Sequence, residues 1–243
     1  HAKLARRTPT ILNVAWAELL MWDGRFASLE EQALAPIESP DEMALSLDEL
    51  VPKLRTIPGY EPLFSAAFEG GEITLENIAS ALAAFERTIV SAHSSFDRWV
   101  EGDETAISEA AKRGFALFEG ELACSRCHSG WRFTDDSFHD IGVRTSDLGR
   151  GAHFEEIEAV QHAFKTPTLR DVARRAPYMH NGSEETLADV LDLYDRGGRV
   201  RRPSLSPDLR PLGLNPEQKR DLLAFFDTLT SEPRSTSLPE LPR

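Results

Sequence analysis

Apolar residues along the chain recur mostly at three- and four-residue spacing, while alternating strand-like patterns are scarce. The pattern predicts an all-α protein. In SLDELVPKLRTI a helix opens at Ser46, with Glu49 placed to complete a capping box. TLENIASALAAFERTIV sets Leu75, Ile78, Leu82, Phe85 and Ile89 along one face, which predicts a core helix. ISEAAKRGFALF carries a stripe of Ile107, Ala111, Gly114 and Phe118, and NPEQKRDLLAFFDTL begins with Asn215 as cap and Pro216 in its first turn. In SEETLADVLDLYDRGG the positions Leu187, Val190, Leu191 and Tyr194 share one face. Tyr194 therefore points inward, and periodicity alone reads it as a core tyrosine whose hydroxyl finds a hydrogen bond.

A chain of 243 residues with 41% hydrophobic content can bury a sizeable core, and two small domains are expected. The polar stretch EGDETA marks the boundary, giving units at 1–102 and 103–230, and the Pro- and Ser-rich segment 231–243 reads as a tail that need not be ordered. No internal repeat is present. With 27 basic against 40 acidic residues the net charge is −13, which repels a phosphate backbone and argues against nucleic acid as a partner. No apolar run approaches the roughly 20 residues needed to span a bilayer, so membrane insertion is not expected. The sequence opens at His1 and not at Met, which leads us to expect a processed or truncated piece.

The two cysteines stand together in CSRCHSGWRF, as Cys124 and Cys127 followed at once by His128. A structural zinc site, a dithiol redox pair and covalent attachment of a c-type haem all use such a motif. Zinc needs about four ligands, and no second CxxC or HxxxH exists to complete the set. A redox dithiol wants a βαβ setting, and this pair follows a helix in a helical chain. Haem attachment remains: the thiols bond to the porphyrin and His128 is placed to bind the iron. Attachment of this kind usually follows export, so the periplasm is the expected compartment. Met179 and Tyr194 are the candidates for the iron's other face.

Several stretches together resemble the bacterial dihaem cytochrome c peroxidase and MauG family. They are RRTPTILN (6–13), MWDGRFASLEEQALAPIESPDEM (21–43), the motif at 124–128, FKTPTLRDVARRAPYMHNG (164–182) and the helix carrying Tyr194. The similarity covers nearly the whole chain. It implies two cytochrome c-like helical domains, of which 1–102 is the remainder of an incomplete N-terminal, peroxide-binding haem domain and 103–230 is the C-terminal haem domain.

By the same resemblance, Trp22 lies between two haems and conducts charge from one to the other. Gln32 and Glu42 match positions in the peroxide pocket, where a carboxylate moves a proton during O–O cleavage, and Pro36 lines the same pocket. The haem at Cys124 and Cys127 would take His128 and Tyr194 as its iron ligands, with His180 near its edge. The backbone carbonyls of Arg175 and Pro177 would help hold a calcium ion, although Arg7 stands where some relatives carry an Asn ligand. Peroxidases that draw electrons from small cytochromes resemble one another in having Met where this chain has Tyr194, whereas MauG has Tyr. A phenolate stabilises ferric and higher-valent iron, so the pair of haems could store two oxidising equivalents as a bis-Fe(IV) state.

The implied activity is a periplasmic oxidoreductase that uses hydrogen peroxide to oxidise tryptophan side chains of a partner protein, as MauG and MbnH do. The alternative is a peroxidase that reduces peroxide with electrons from a small cytochrome or copper protein. Trp16, Trp99 and Trp131 are candidate relays to the partner, since Leu122 stands where MauG has a Trp. A second haem c, on a CxxCH motif upstream of the stretch given, is expected; a one-haem protein with a relic pocket is the other reading. His1 is a candidate distal ligand of that haem, with a loop histidine the simpler reading.

Overall fold

The computed structural model describes residues 4–232 and 239–243. His1 and the middle of the expected tail lie outside them. Among the described residues there are eight α-helices: α1 (Leu29–Glu38), α2 (Leu47–Arg55), α3 (Tyr60–Ala67), α4 (Leu75–Arg87), α5 (Ser95–Val100), α6 (Glu109–Glu119), α7 (Leu187–Asp195) and α8 (Pro216–Thr228). Among the described residues the two strands are β1 (Phe138–His139) and β2 (Phe164–Lys165), paired antiparallel. The all-α expectation holds. Helix starts are written in the sequence as caps: Ser28, Thr74, Ser94, Ser108, Thr186 and Asn215 each accept a first-turn amide with the side chain. At α2 the capping box is not formed. The Ser46 hydroxyl accepts from Asp48 N at 3.3 Å, one residue early, and Glu49 N bonds the Ser46 carbonyl instead.

Helices α1 to α4 enclose a small core of Ile37, Leu50, Phe64, Ile73 and Ile78, and a second patch of Leu20, Leu29 and Ala83 joins α1 to α4. Here the structure corrects the sequence reading of α4. Its buried face is Ile78, Ala79 and Ala83, while Leu82 is 38% and Phe85 61% exposed. The small side chains at 79 and 83 let α1 pack closely, and that rolls the larger apolar residues outward.

The second core is built on α6 and α8. They cross at Gly114, where an added Cβ would lie 2.0 Å from the Asp221 carbonyl oxygen. Arg113 beside it donates to both carboxylate oxygens of Asp221 at 2.8 and 2.7 Å. Behind the crossing lies a phenylalanine cluster, with Phe118 and Phe225 centroids 5.1 Å apart and Phe96 of α5 set 5.6 Å from Phe225. The predicted stripe on α6 and the Asn215 cap are both present as read. The turn at 101–106 separates α5 from α6, and α7 ties to α8 through Lys219, which bonds Asp192 and Asp195 at 2.7 and 2.8 Å.

Because backbone and not a flexible side chain faces Gly114, Gly114→Ala must push α6 from α8. Thermal melting of the haem-loaded protein should show a loss of about 1–3 kcal/mol; an unchanged midpoint would contradict the crossing.

Candidate functional site

Helix α6 ends at Gly120, and Ala123, with φ 54°, turns the chain into a single 3-10 turn at Cys124–Arg126. The amide of His128 bonds the Cys124 carbonyl at 3.0 Å, which holds the three motif residues in one compact turn. Cys124, Cys127 and His128 all line a cavity of about 250 Å³. No disulfide joins the two cysteines, and burial pushes the Cys124 thiol up to about 11.

The imidazole of His128 is fixed from behind. Its Nδ1 lies 3.0 Å from the Phe133 carbonyl, which can only accept, so Nδ1 carries the proton and Nε2 keeps a free lone pair. Burial lowers the pKa of His128 and keeps the ring neutral. The carbonyl is itself braced. Phe133 is buried with φ 54°, and Arg170 donates to the carbonyl of Trp131 at 2.7 Å while its guanidinium lies 5.4 Å from the Phe133 ring centre. Arg170 in turn makes two 2.8 Å bonds to Asp97. Burial alone would raise Asp97, but its bonds to Arg170 and Ser94 outweigh that and hold it below the usual carboxylate range.

Helix α7 forms another wall of the same cavity, through Leu187, Val190, Leu191 and Tyr194. The predicted face is the one observed. Burial raises the Tyr194 pKa far above a free phenol, and the nearby Cys124 and Cys127 raise it further. Two thiols, a neutral imidazole nitrogen, a phenol oxygen and apolar walls of Phe118, Leu122, Val143 and Val172 are a donor set and a lining that fit a c-type haem.

The rim of this cavity comes from distant sequence. Residues 7–10 and Trp22 line it, and the Trp22 indole donates to the Arg7 carbonyl at 2.8 Å. His180 lines it too, 3% exposed and stacked on Phe164 with ring centroids 3.6 Å apart. Its Nε2 is buried without a partner, and burial lowers its pKa to about 4. Such an orphaned ring nitrogen at the wall fits a group within the cavity. Met179, the other candidate for the far face, also lines it.

Gln32, Pro36 and Glu42 lie elsewhere. They belong to α1 and the turn after it, where the Glu42 amide bonds Ser39 O at 3.1 Å and the Met43 amide bonds Pro36 O at 3.1 Å, and none lines the cavity. The carbonyls of Arg175 and Pro177 both accept from Arg7 Nη1. Trp16 and Trp131 meet edge to face with centroids 4.9 Å apart, each 48% exposed, while Trp99 packs against the phenylalanine core and bonds Glu104 at 3.2 Å.

Sequence reasoning passed over Phe133, Arg170 and His139. His139 lies 2.9 Å from Asp135, and its ligand nitrogen, Cys127 Sγ and an Asp135 oxygen are all within 4.8 Å of one another. A hydrogen bond with Cys127, then one with Asp135, outweigh burial and raise the pKa of His139 to about 9. A motif spacing carries no trace of these partners, which come from loops folded back on the motif.

The sequence pattern of the family described as di-haem cytochrome c peroxidase matches residues 1–105. The methylamine utilization protein MauG of Methylorubrum extorquens is 52% identical over 98% of this chain and 68% of its own length. MauG of Methylophilus methylotrophus is 50% identical over 98% of this chain and 72% of its own. Among solved structures, a MauG-like protein associated with microbial copper homeostasis superposes with a TM-score of 0.86 at 31% identity, covering 95% of this chain and 77% of that one.

The brace behind His128 gives a measurable expectation. Asp97→Ala leaves Arg170, 6% exposed, with a buried charge unpaired, and should cost about 3–5 kcal/mol in a denaturation experiment. Because the folded pKa of Asp97 lies below its unfolded value, its contribution is complete above about pH 3.9. It is lost as the pH falls through the depressed value. Wild type should therefore lose stability on acidification more steeply than Asp97→Ala, and parallel acid profiles would contradict the brace.

Proposed function

The chain belongs to the di-haem cytochrome c peroxidase family that includes MauG, and from that membership we propose that it oxidises tryptophan side chains of a partner protein at the expense of hydrogen peroxide. The observation that carries this reading is Tyr194, a phenol on the wall of the cavity that holds the thiols and His128. Haem c, when bound, supplies the one-electron redox chemistry and the site for peroxide.

Cys124 and Cys127 anchor that group, and His128 offers Nε2 because Phe133 holds Nδ1. Tyr194 offers a hard anionic oxygen once its proton is displaced, which favours the more oxidised states of a metal over a thioether ligand. Trp22, lining the cavity with its indole hydrogen-bonded, is suited to pass charge toward the second haem c that the resemblance implies. There Gln32 and Pro36 would shape the peroxide pocket and Glu42 would move a proton from one peroxide oxygen to the other. Two electrons leave the partner's indole rings, and with two protons they convert one peroxide into two waters. The exposed Trp16–Trp131 pair supports an exit on that side of the molecule; Leu122 is buried in the core and gives none.

No helix among the described residues is long and apolar enough to cross a membrane. A periplasmic location accords with covalent haem attachment, which usually follows export.

Incubation of the haem-loaded enzyme and peroxide with a candidate partner, followed by peptide mass spectrometry, should show modified tryptophan. Unmodified partners, together with steady peroxide turnover on a small cytochrome or copper protein, would instead establish a conventional peroxidase. At the peroxide pocket, Glu42→Gln should slow the first spectral change after rapid mixing with peroxide by about 100- to 10,000-fold. An unaltered rate would remove Glu42 from the reaction.

A further inference from the structure

The carbonyl oxygens of Arg175 and Pro177, which the resemblance assigned to calcium, face an occupant that is part of the chain. Arg7 Nη1 lies 2.5 Å from Arg175 O and also bonds Pro177 O. Calcium takes 6–8 oxygen ligands at about 2.3–2.6 Å, so an ion touching both carbonyls would have to share the volume of that nitrogen. The electrostatics point the same way. Burial and the neighbouring Arg175 work against positive charge here more than Tyr178 favours it, and a calcium ion would meet the same neighbours. The donor set at this place does not fit calcium.

We infer that the Arg7 guanidinium stands permanently in the carbonyl cradle in place of a calcium ion, as a hydrogen-bonded strut between the two halves of the cavity wall. Arg7 is well placed for that work. Its amide donates to His180 O at 2.8 Å and its carbonyl accepts the Trp22 indole at 2.8 Å, so one residue joins the 175–180 segment to the charge-conducting tryptophan. An ion that can be lost would make the position of Trp22 depend on free calcium. A guanidinium stays charged at any physiological pH and cannot dissociate. The strut thus makes the geometry between Trp22 and the His180 edge independent of the metal, whatever the enzyme's final substrate.

The experiment uses the haem-loaded protein. After dialysis against EGTA, elemental analysis should find no stoichiometric calcium, and the melting midpoint and haem absorption should be the same with chelator as with added calcium chloride. One calcium per chain, whose removal lowers the midpoint or shifts the spectrum, would overturn the inference. Arg7→Ala should lower the midpoint by several degrees, and a midpoint equal to wild type would also overturn it. In Arg7→Asn, which removes the guanidinium and returns an amide oxygen to the cradle, added calcium should raise the midpoint. A variant indifferent to calcium would show that the cradle is no cation site. Should that variant fail to fold, the wild-type chelation result decides. Neither calcium content nor melting depends on which molecule donates electrons to the enzyme, so the outcome is separable from the proposed activity.

Discussion

The bond between His128 Nδ1 and the Phe133 carbonyl decides what the rest of the cavity can be. It fixes one tautomer and leaves a single lone pair at Nε2, while burial, which outweighs the opposite pull of this bond, keeps the ring neutral. Everything behind it serves to hold that carbonyl still: the left-handed turn at Phe133, the Arg170 bond to the Trp131 carbonyl and the Asp97 carboxylate that neutralises Arg170. Residues from before α6 are thus part of the support of His128. Phe96, one residue from Asp97, packs into the same phenylalanine core as Phe118 and Phe225.

The cavity is also where the N-terminal segment does its structural work. Arg7 and Trp22 are bound to each other and both reach the rim, while Arg6 bonds Asp23 at 2.5 Å and Asp147 at 2.6 Å. Arg150 adds bonds to the carbonyls of Asp23 and Gly24 at 3.0 and 2.7 Å. The WDGR stretch is therefore fastened to the C-terminal half by fixed charges and backbone bonds. The Trp22 indole is thereby held at a fixed place on the cavity wall.

Much of this was legible in the sequence where a local rule governs. The helix caps, the α6 stripe and the α7 face with Tyr194 depend on neighbours a few positions away, and Cys124, Cys127 and His128 meet at one cavity because they share one turn. The misreadings have a common cause. On α4 the pattern marked Leu82 and Phe85 as core, but tertiary packing chose the small residues Ala79 and Ala83. At Ser46 the approach of the chain changed which amide met the hydroxyl. Phe133, Arg170 and His139 were invisible because their roles come from carbonyls and carboxylates brought together by loops, and a carbonyl leaves no mark on residue type. Arg7 was read only as a departure from an Asn, and its meaning needed the geometry of the two carbonyls. Gln32, Pro36 and Glu42 rest on resemblance, since their pocket is not formed by the cavity at Cys124.

The central proposal is that the Tyr194 oxygen and the His128 nitrogen would both bind one haem iron. Resonance Raman spectroscopy of the haem-loaded ferric protein, prepared with and without ring-deuterated tyrosine, tests it most directly. Phenolate modes that shift with the label and vanish in Tyr194→Phe are the predicted result. A spectrum without label-sensitive phenolate modes, or one that survives Tyr194→Phe unchanged, would contradict it.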